Sequence, residues 1–209
     1  MHKEFTGSGD HAEITLQTNA IKDETFGIEG HYYVECRDAD GNLKWTEDFP
    51  NQVVQVGKIF MLSQTLLSSP VALVGPYLGL VVGTGNTFSP TDTMTSHAGW
   101  TEFTAYTVSS SAVRGTAVFS TPTGNNNTTP SSNVVTAAAS AITYTITGSG
   151  GTIGGCFLVT GTGASNSLGN TGGTLYSAGA FGTAKTTTCL LYTSPSPRDR
   201  TRARMPSSA

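Results

Sequence analysis

Few residues of this 209-residue sequence could take part in chemistry, and most of the acidic ones lie near its start. Residues 1–49 hold 11 of the 14 Asp and Glu residues. Residues 50–188 contain five charged side chains, which are Lys58, Asp92, Glu102, Arg114 and Lys185. Enzymes generally need paired acids, a base or a cluster of metal ligands. This scarcity predicts a non-enzymatic protein without catalytic residues, cofactor or metal, which works through contact.

Ser96 and His97 are the best candidates for hydrolysis, because a serine and a histidine can act as nucleophile and base. No Gly-x-Ser-x-Gly turn precedes a helix. Within residues 50–188, the acids that could orient the histidine are Asp92 and Glu102. We therefore interpret His97 as a capping or packing residue.

Asp38, Asp40 and Asn42 have the spacing that opens a calcium-binding loop. Such a loop needs glycine at its sixth position and a bidentate acid at its twelfth. These positions are Leu43 and Phe49. The pattern therefore favours a hairpin turn, in which Asp and Asn bond to nearby backbone.

Gly83 and Gly85 follow a predicted strand, as the glycines of a phosphate-binding loop do. The sequence then continues to Asn86 and Pro90 without the Gly-Lys-Ser/Thr ending or a third glycine that opens a helix. A turn is the better interpretation.

Cys36 and Cys156 fall in predicted strands beside apolar residues, which is typical of buried free thiols. The three cysteines of the chain fit neither a disulfide framework nor a zinc site.

The low charge also excludes some partners. Charged residues make up 12% of the sequence, so a basic nucleic-acid-binding surface is not expected. No apolar run approaches the roughly 20 residues of a membrane span. The first residues do not resemble a secretory signal.

Several segments have the patterns of regular elements that could position these residues. Residues 31–38 alternate as a half-buried strand does, and residues 43–49 return as its hairpin partner. Residues 56–67 predict a helix with Val56, Ile59, Phe60, Leu62, Leu66 and Leu67 on one side. Further strands are predicted at residues 77–83, 100–106, 113–120, 141–147, 155–159 and 174–178.

Seven or eight short strands with one helix predict a mainly β protein, an antiparallel β-sandwich or jelly roll with a short helix near residues 56–67. We expect a flexible N-terminal arm at residues 1–29 and the sandwich domain at 30–188. Residues 189–209 bring four arginines and three prolines without apolar periodicity. They resemble a translated sequencing adapter, so we expect this tail to be a disordered artefact.

Six segments of the chain resemble small virion structural proteins of tailed bacteriophages. The most specific is DTMTSHAGWTE at residues 92–102. The others lie at residues 35–45, 51–58, 77–80, 155–158 and 172–179. The match fades after Phe181, where such proteins usually add another strand, and its loss would leave an unpaired sheet edge.

The resemblance implies a non-enzymatic component of the virion, either a capsid decoration or cement protein or a tail-fibre-associated protein. It also implies homo-oligomers, possible trimers among them, and contacts with major capsid or tail proteins. The alternative is a receptor- or carbohydrate-binding adhesin. Its stacking surfaces would be aromatic side chains: Tyr32, Tyr33, Trp100, Tyr106 and Tyr176.

Overall fold

A computed structural model describes residues 30–119 and 141–187. The described residues form one helix, α1 at Gln55–Leu66, and nine strands. The strands are β1 Gly30–Arg37, β2 Leu43–Val53, β3 Tyr77–Val82, β4 Glu102–Phe103, β5 Tyr106–Thr107, β6 Gly115–Thr116, β7 Thr145–Ile146, β8 Gly151–Thr160 and β9 Thr174–Thr187. The predicted arm at 1–29 and tail at 189–209 lie outside the described residues.

The main sheet is antiparallel and has the order β1-β2-β9-β8-β3-β4, with β6 also paired to β3. Strands β5 and β7 form a separate two-stranded sheet. The longest ladder joins β8 to β9, from Gly151 opposite Thr187 to Thr160 opposite Thr174. β9 is therefore the strand that joins the first hairpin to the rest of the sheet.

One face of the sheet is covered by α1 and by the segment between β3 and β4. Phe157, Val159 and Leu175 point to this side, where they pack with Trp100 and Met94 of that segment. All five are at most 5% exposed. Because β8 is buried throughout Ile153–Thr160, its run of apolar residues belongs to a central strand.

The opposite face is covered by the β5–β7 ribbon and by the β1–β2 hairpin, which pairs with β9 only through Gln52 and Val53 and packs over β8 and β9. Phe49 of the hairpin meets Phe181 of β9 edge-to-face at 5.0 Å between ring centroids. Tyr106 of the ribbon packs into the same cluster. Two β layers thus enclose an apolar core, which confirms the predicted class: mainly β, antiparallel, sandwich-like and with one helix.

The exposure of residues in the β1–β2 hairpin follows the alternating sequence pattern that predicted it. Exposure alternates along β1, with Tyr32 and Val34 turned inward and Tyr33 outward. At the turn, Asp38 Oδ1 accepts hydrogen bonds from the backbone N–H groups of Asp40 and Asn42, at 3.0 and 2.8 Å. The side chain of Asp38 therefore closes the turn, as predicted.

The helix was predicted within one residue, but only Val56 and Phe60 of its predicted apolar side pack on the core. Gly57, Phe60 and Ser63 are the residues that α1 buries. A Cβ atom on Gly57 would collide with the carbonyl oxygen of Tyr176. Glycine thus lets α1 approach β9 closely, and this contact turns most of the apolar side outward. Four residues of the predicted apolar side are exposed: Ile59, Leu62, Leu66 and Leu67.

The later strands depart from the prediction in length. The expected strand at 174–178 continues to Thr187, and the one at 155–159 begins at Gly151. The expected strands at 100–106, 113–120 and 141–147 are represented by two-residue strands in their described parts. Short ladders form there because irregular turns interrupt pairing, as at Ser109 and Ser110, which have positive φ.

Candidate functional site

Arg114 and Glu102, two of the five charged residues in 50–188, form a buried ion pair. Arg114 Nε lies 2.7 Å from Glu102 Oε1, and Arg114 Nη2 lies 2.7 Å from Glu102 Oε2. The Arg114 side chain has no exposed surface and that of Glu102 is 9% exposed. This two-pronged geometry is the strongest that an arginine and a carboxylate can adopt.

The remaining hydrogen-bonding groups of the pair hold the loop between β8 and β9. Arg114 donates to the carbonyl oxygens of Ser165 at 3.1 Å and Asn170 at 2.7 Å. The backbone N–H of Gly169 donates to Glu102 Oε2 at 2.8 Å. The guanidinium carbon also lies 5.1 Å from the ring centroid of Phe157. We call this arrangement the Arg114 clamp; its partners are protein groups that fix a loop onto the sheet.

A second polar cluster surrounds Trp100. Asp92 Oδ2 accepts hydrogen bonds from the Trp100 indole N–H and from the backbone N–H of Ser89, both at 3.0 Å. His97 stacks on Trp100 with 3.9 Å between ring centroids. His97 Nδ1 lies 3.0 Å from the Trp100 carbonyl oxygen. Asp92 therefore binds the indole N–H, and His97 packs on the face of the ring.

This geometry bears directly on the hydrolase hypothesis. A catalytic triad needs the acid to orient the histidine and the histidine to contact the nucleophile. Asp92 instead contacts Trp100, and the backbone N–H of Ser96 donates to Thr93 Oγ1 at 3.0 Å. The positions of Asp92, Ser96 and His97 agree with the interpretation of His97 as a packing residue.

The glycines at 83 and 85 lie in a turn at the end of β3, with φ of 86° and 68°. The turn borders an open cleft of about 360 Å³. The described residues that line the cleft are uncharged: Gly83, Thr84, Gly85, Asn86, Gly154, Ala180, Phe181, Gly182, Thr183 and Ala184. The cleft therefore lacks the cationic side chain that a phosphate-binding loop brings to its ligand.

The two described cysteines occupy different environments. Cys156 is 1% exposed in the core, and burial raises the pKa of its thiol to about 12. Cys36 is a half-buried free thiol, so the prediction that it is buried was wrong in degree. Cys36 lies in β1 of the first hairpin, where half-buried residues alternate with exposed ones. Burial also raises the pKa of the Cys36 thiol, by less.

The five aromatic residues considered for stacking on a sugar are mostly in the interior. Trp100 and Tyr106 are 5% and 1% exposed. Tyr32 packs against Phe49 and bonds through its hydroxyl to Ser177 Oγ at 2.6 Å. Tyr176 is partly buried, and its hydroxyl contacts Met61 Sδ. Tyr33, at 66% exposure, is the member of this set that faces solvent.

The most prominent surface feature that sequence reasoning missed is apolar. It consists of exposed side chains on α1 and on the segment after it: Ile59, Leu62, Leu66, Leu67, Val71 and Leu73. Gln64 Nε2 donates to the carbonyl oxygen of Val71 at 2.6 Å, which brings the segment back beside the helix. We call this set the apolar α1 face. The apolar periodicity of α1 is visible in the sequence, but the period alone does not show that most of this side faces solvent.

Within 30–119 and 141–187, no three His, Cys, Asp or Glu residues are grouped so that they could hold a metal ion. No helix in the same ranges is long and apolar enough to cross a membrane. Comparison with family models, curated proteins and solved structures gave no match to this chain.

Proposed function

We propose that this chain is a non-enzymatic structural protein of a tailed-bacteriophage virion. It would act either as a capsid decoration or cement protein or as a component associated with the tail fibre. The sequence resemblance at residues 92–102 suggests the virion, and the Arg114 clamp is the structural observation that carries the non-enzymatic part. The Glu102 carboxylate and the Arg114 guanidinium bind each other and backbone groups in a buried position, so neither side chain faces a substrate.

The clamp suits a protein that must remain rigid at a contact surface. A buried ion pair that also binds backbone groups of neighbouring segments holds those segments in one arrangement. Here the arrangement joins β4, the segment carrying Arg114 and the loop at residues 165–170. A cement protein stabilises the assembled particle by binding to it, by an amount that grows with its concentration relative to its Kd. A rigid surface favours that binding because little conformational freedom is lost.

The test is binding to phage particles. The purified chain should co-sediment with virions of a phage whose genome encodes it, and mass spectrometry of purified virions should detect it in fixed stoichiometry with the major capsid or tail proteins. Immunogold labelling would then distinguish head from tail. Absence from purified virions, together with no binding to particles or their precursors, would refute the proposal.

The adhesin alternative needs aromatic surfaces that a glycan can reach. Since Trp100 and Tyr106 lie in the core, the structure favours it less. A glycan array separates the two functions, because an adhesin should show sugar-dependent binding that a Tyr33→Ala variant loses. A cement protein should show none.

A further inference from the structure

The apolar α1 face places six large aliphatic side chains at the surface of the described chain. Its six side chains are between 37% and 76% exposed. The largest apolar patch on a typical monomer covers about 300–600 Å² and is often functional. A standard interface removes about 800 Å² from each partner. Six exposed large aliphatic side chains supply the apolar centre of an interface of that class.

The orientation of the helix holds this face outward. Gly57 lies against the Tyr176 backbone on the other side of α1, and no side chain larger than hydrogen fits there. Tyr176 also contacts Met61 through its hydroxyl. Rotation that buried Leu62 would therefore break the packing of α1 on β9. The exposed face is a fixed feature of the fold.

The spacing within the helix identifies the kind of surface that would cover it. Ile59, Leu62 and Leu66 follow one another by three and four residues. This is the spacing of the narrow apolar seam by which two helices pack side by side. A partner helix with the same spacing would fit, and this chain carries one.

Charge favours a second copy over a charged partner. Lys58 is the one ionisable side chain in residues 55–76. In an antiparallel pair of α1 helices the two Lys58 side chains lie at opposite ends, so they do not repel each other closely. A strongly acidic or basic partner could form an ion pair with no residue of this segment other than Lys58.

We propose that two copies of this chain associate through the apolar α1 face about a two-fold axis, with their α1 helices antiparallel. Leu62 then lies near the axis and meets its own counterpart, and Ile59 of each copy packs against Leu66 of the other. This self-association concerns the isolated chain, so it does not depend on the proposed place in a virion.

Analytical ultracentrifugation of the purified full chain, from about 1 µM to 1 mM, tests the proposal. We expect the wild-type chain to reach twice its monomer mass. Leu62→Glu should weaken the association at least tenfold, which corresponds to about 1.4 kcal/mol, because each dimer would bury the new charge twice. The matched control is Leu43→Glu, an exposed leucine on β2 (53% against 55%) outside the face; it should dimerise as the wild type does.

Cross-linking supplies a second measurement. In a Cys36→Ser, Cys189→Ser background, Leu62→Cys should be joined to its counterpart by a short bismaleimide, and Lys58→Cys should not. Circular dichroism of each variant would verify that it is folded. A wild-type chain that stays monomeric over the whole range overturns the proposal, even if it binds phage particles. So does an association that Leu62→Glu leaves unchanged.

Discussion

The Arg114 clamp makes a prediction about single side chains. In Glu102→Gln the Arg114 guanidinium stays buried but loses its counter-charge. Breaking a buried pair by removing one partner typically costs about 3–5 kcal/mol. We expect a loss of that size in the free energy of unfolding, measured by urea denaturation.

Glu35→Gln is the matched control, because Glu35 also accepts from an arginine, Arg37, at 2.8 Å but on the surface. Exposed pairs of this kind contribute little. The urea midpoint of Glu35→Gln should match that of the wild type. Equal midpoints for both variants would show that the clamp does not stabilise the fold.

The buried thiol of Cys156 and the buried hydroxyl groups of Tyr32 and Tyr144 predict that the protein loses stability at alkaline pH. Burial raises the pKa of Cys156 to about 12 from an ordinary value of 9, and it raises the pKa of Tyr32 and Tyr144 above 10. These groups ionise more readily in the unfolded chain. The stability they contribute is thus complete below pH 9 and is lost as the pH rises toward their folded pKa values.

The free energy of unfolding, obtained from urea denaturation at pH 7 to 10.5, should therefore fall above pH 9, by up to about 1.4 kcal/mol per pH unit for each group that titrates. A Cys156→Ala variant should show a shallower fall between pH 9 and 10, where the tyrosines still contribute little. A stability that stays flat to pH 10.5 would contradict the burial of these groups.

The packing of α1 on β9 predicts whether Gly57→Ala raises or lowers the free energy of unfolding. In an exposed helix position, Gly→Ala stabilises by about 1 kcal/mol. At Gly57 the added methyl group would meet the Tyr176 carbonyl oxygen. We expect Gly57→Ala to destabilise the protein by about 1–3 kcal/mol, measured by urea denaturation. Lys58→Ala, one residue along, should leave the midpoint unchanged, and a stabilised Gly57→Ala would refute the close approach.

The same helix shows what the sequence could and could not predict. Its apolar period located it within one residue, yet the period did not reveal which side packs on the sheet. That choice depends on Gly57 and on a carbonyl more than a hundred residues away. The hairpin was predictable because Asp38 closes its turn through bonds over two to four residues. The second half of β9 was missed because residues 179–187 lack apolar alternation, and pairing with β8 makes them a strand.

The Arg114 clamp was beyond sequence reasoning for a related reason. Glu102 and Arg114 were noticed as rare charges, which was the available signal. Their other partners, at Ser165, Gly169 and Asn170, are brought by a loop more than 50 residues away. The scarcity of charge could suggest that each charged side chain matters, but the partners follow from the tertiary fold.

The extent of the main sheet predicts that the whole molecule keeps its fold when residues 189–209 are removed. The ladder between β8 and β9 ends where Gly151 pairs with Thr187. A chain that ends after Thr188 keeps every described strand, and residues 189–209 resemble adapter-derived sequence. We expect this truncation to preserve the urea midpoint and the near-ultraviolet circular dichroism of the full chain. A clear drop in the midpoint would show that the tail belongs to the fold.

The place of β9 in the sheet has a consequence for synthesis on the ribosome. The strand that joins the hairpin, the helix and β8 is the last of the described strands to be made. Until Thr174–Thr187 has left the exit tunnel, α1 and the hairpin have no sheet to pack on. Long-range pairing of this kind forms late and slowly. The main sheet is therefore expected to form only after β9 has been made, and a polypeptide interrupted before Thr174 should be cleared by proteases rather than accumulate.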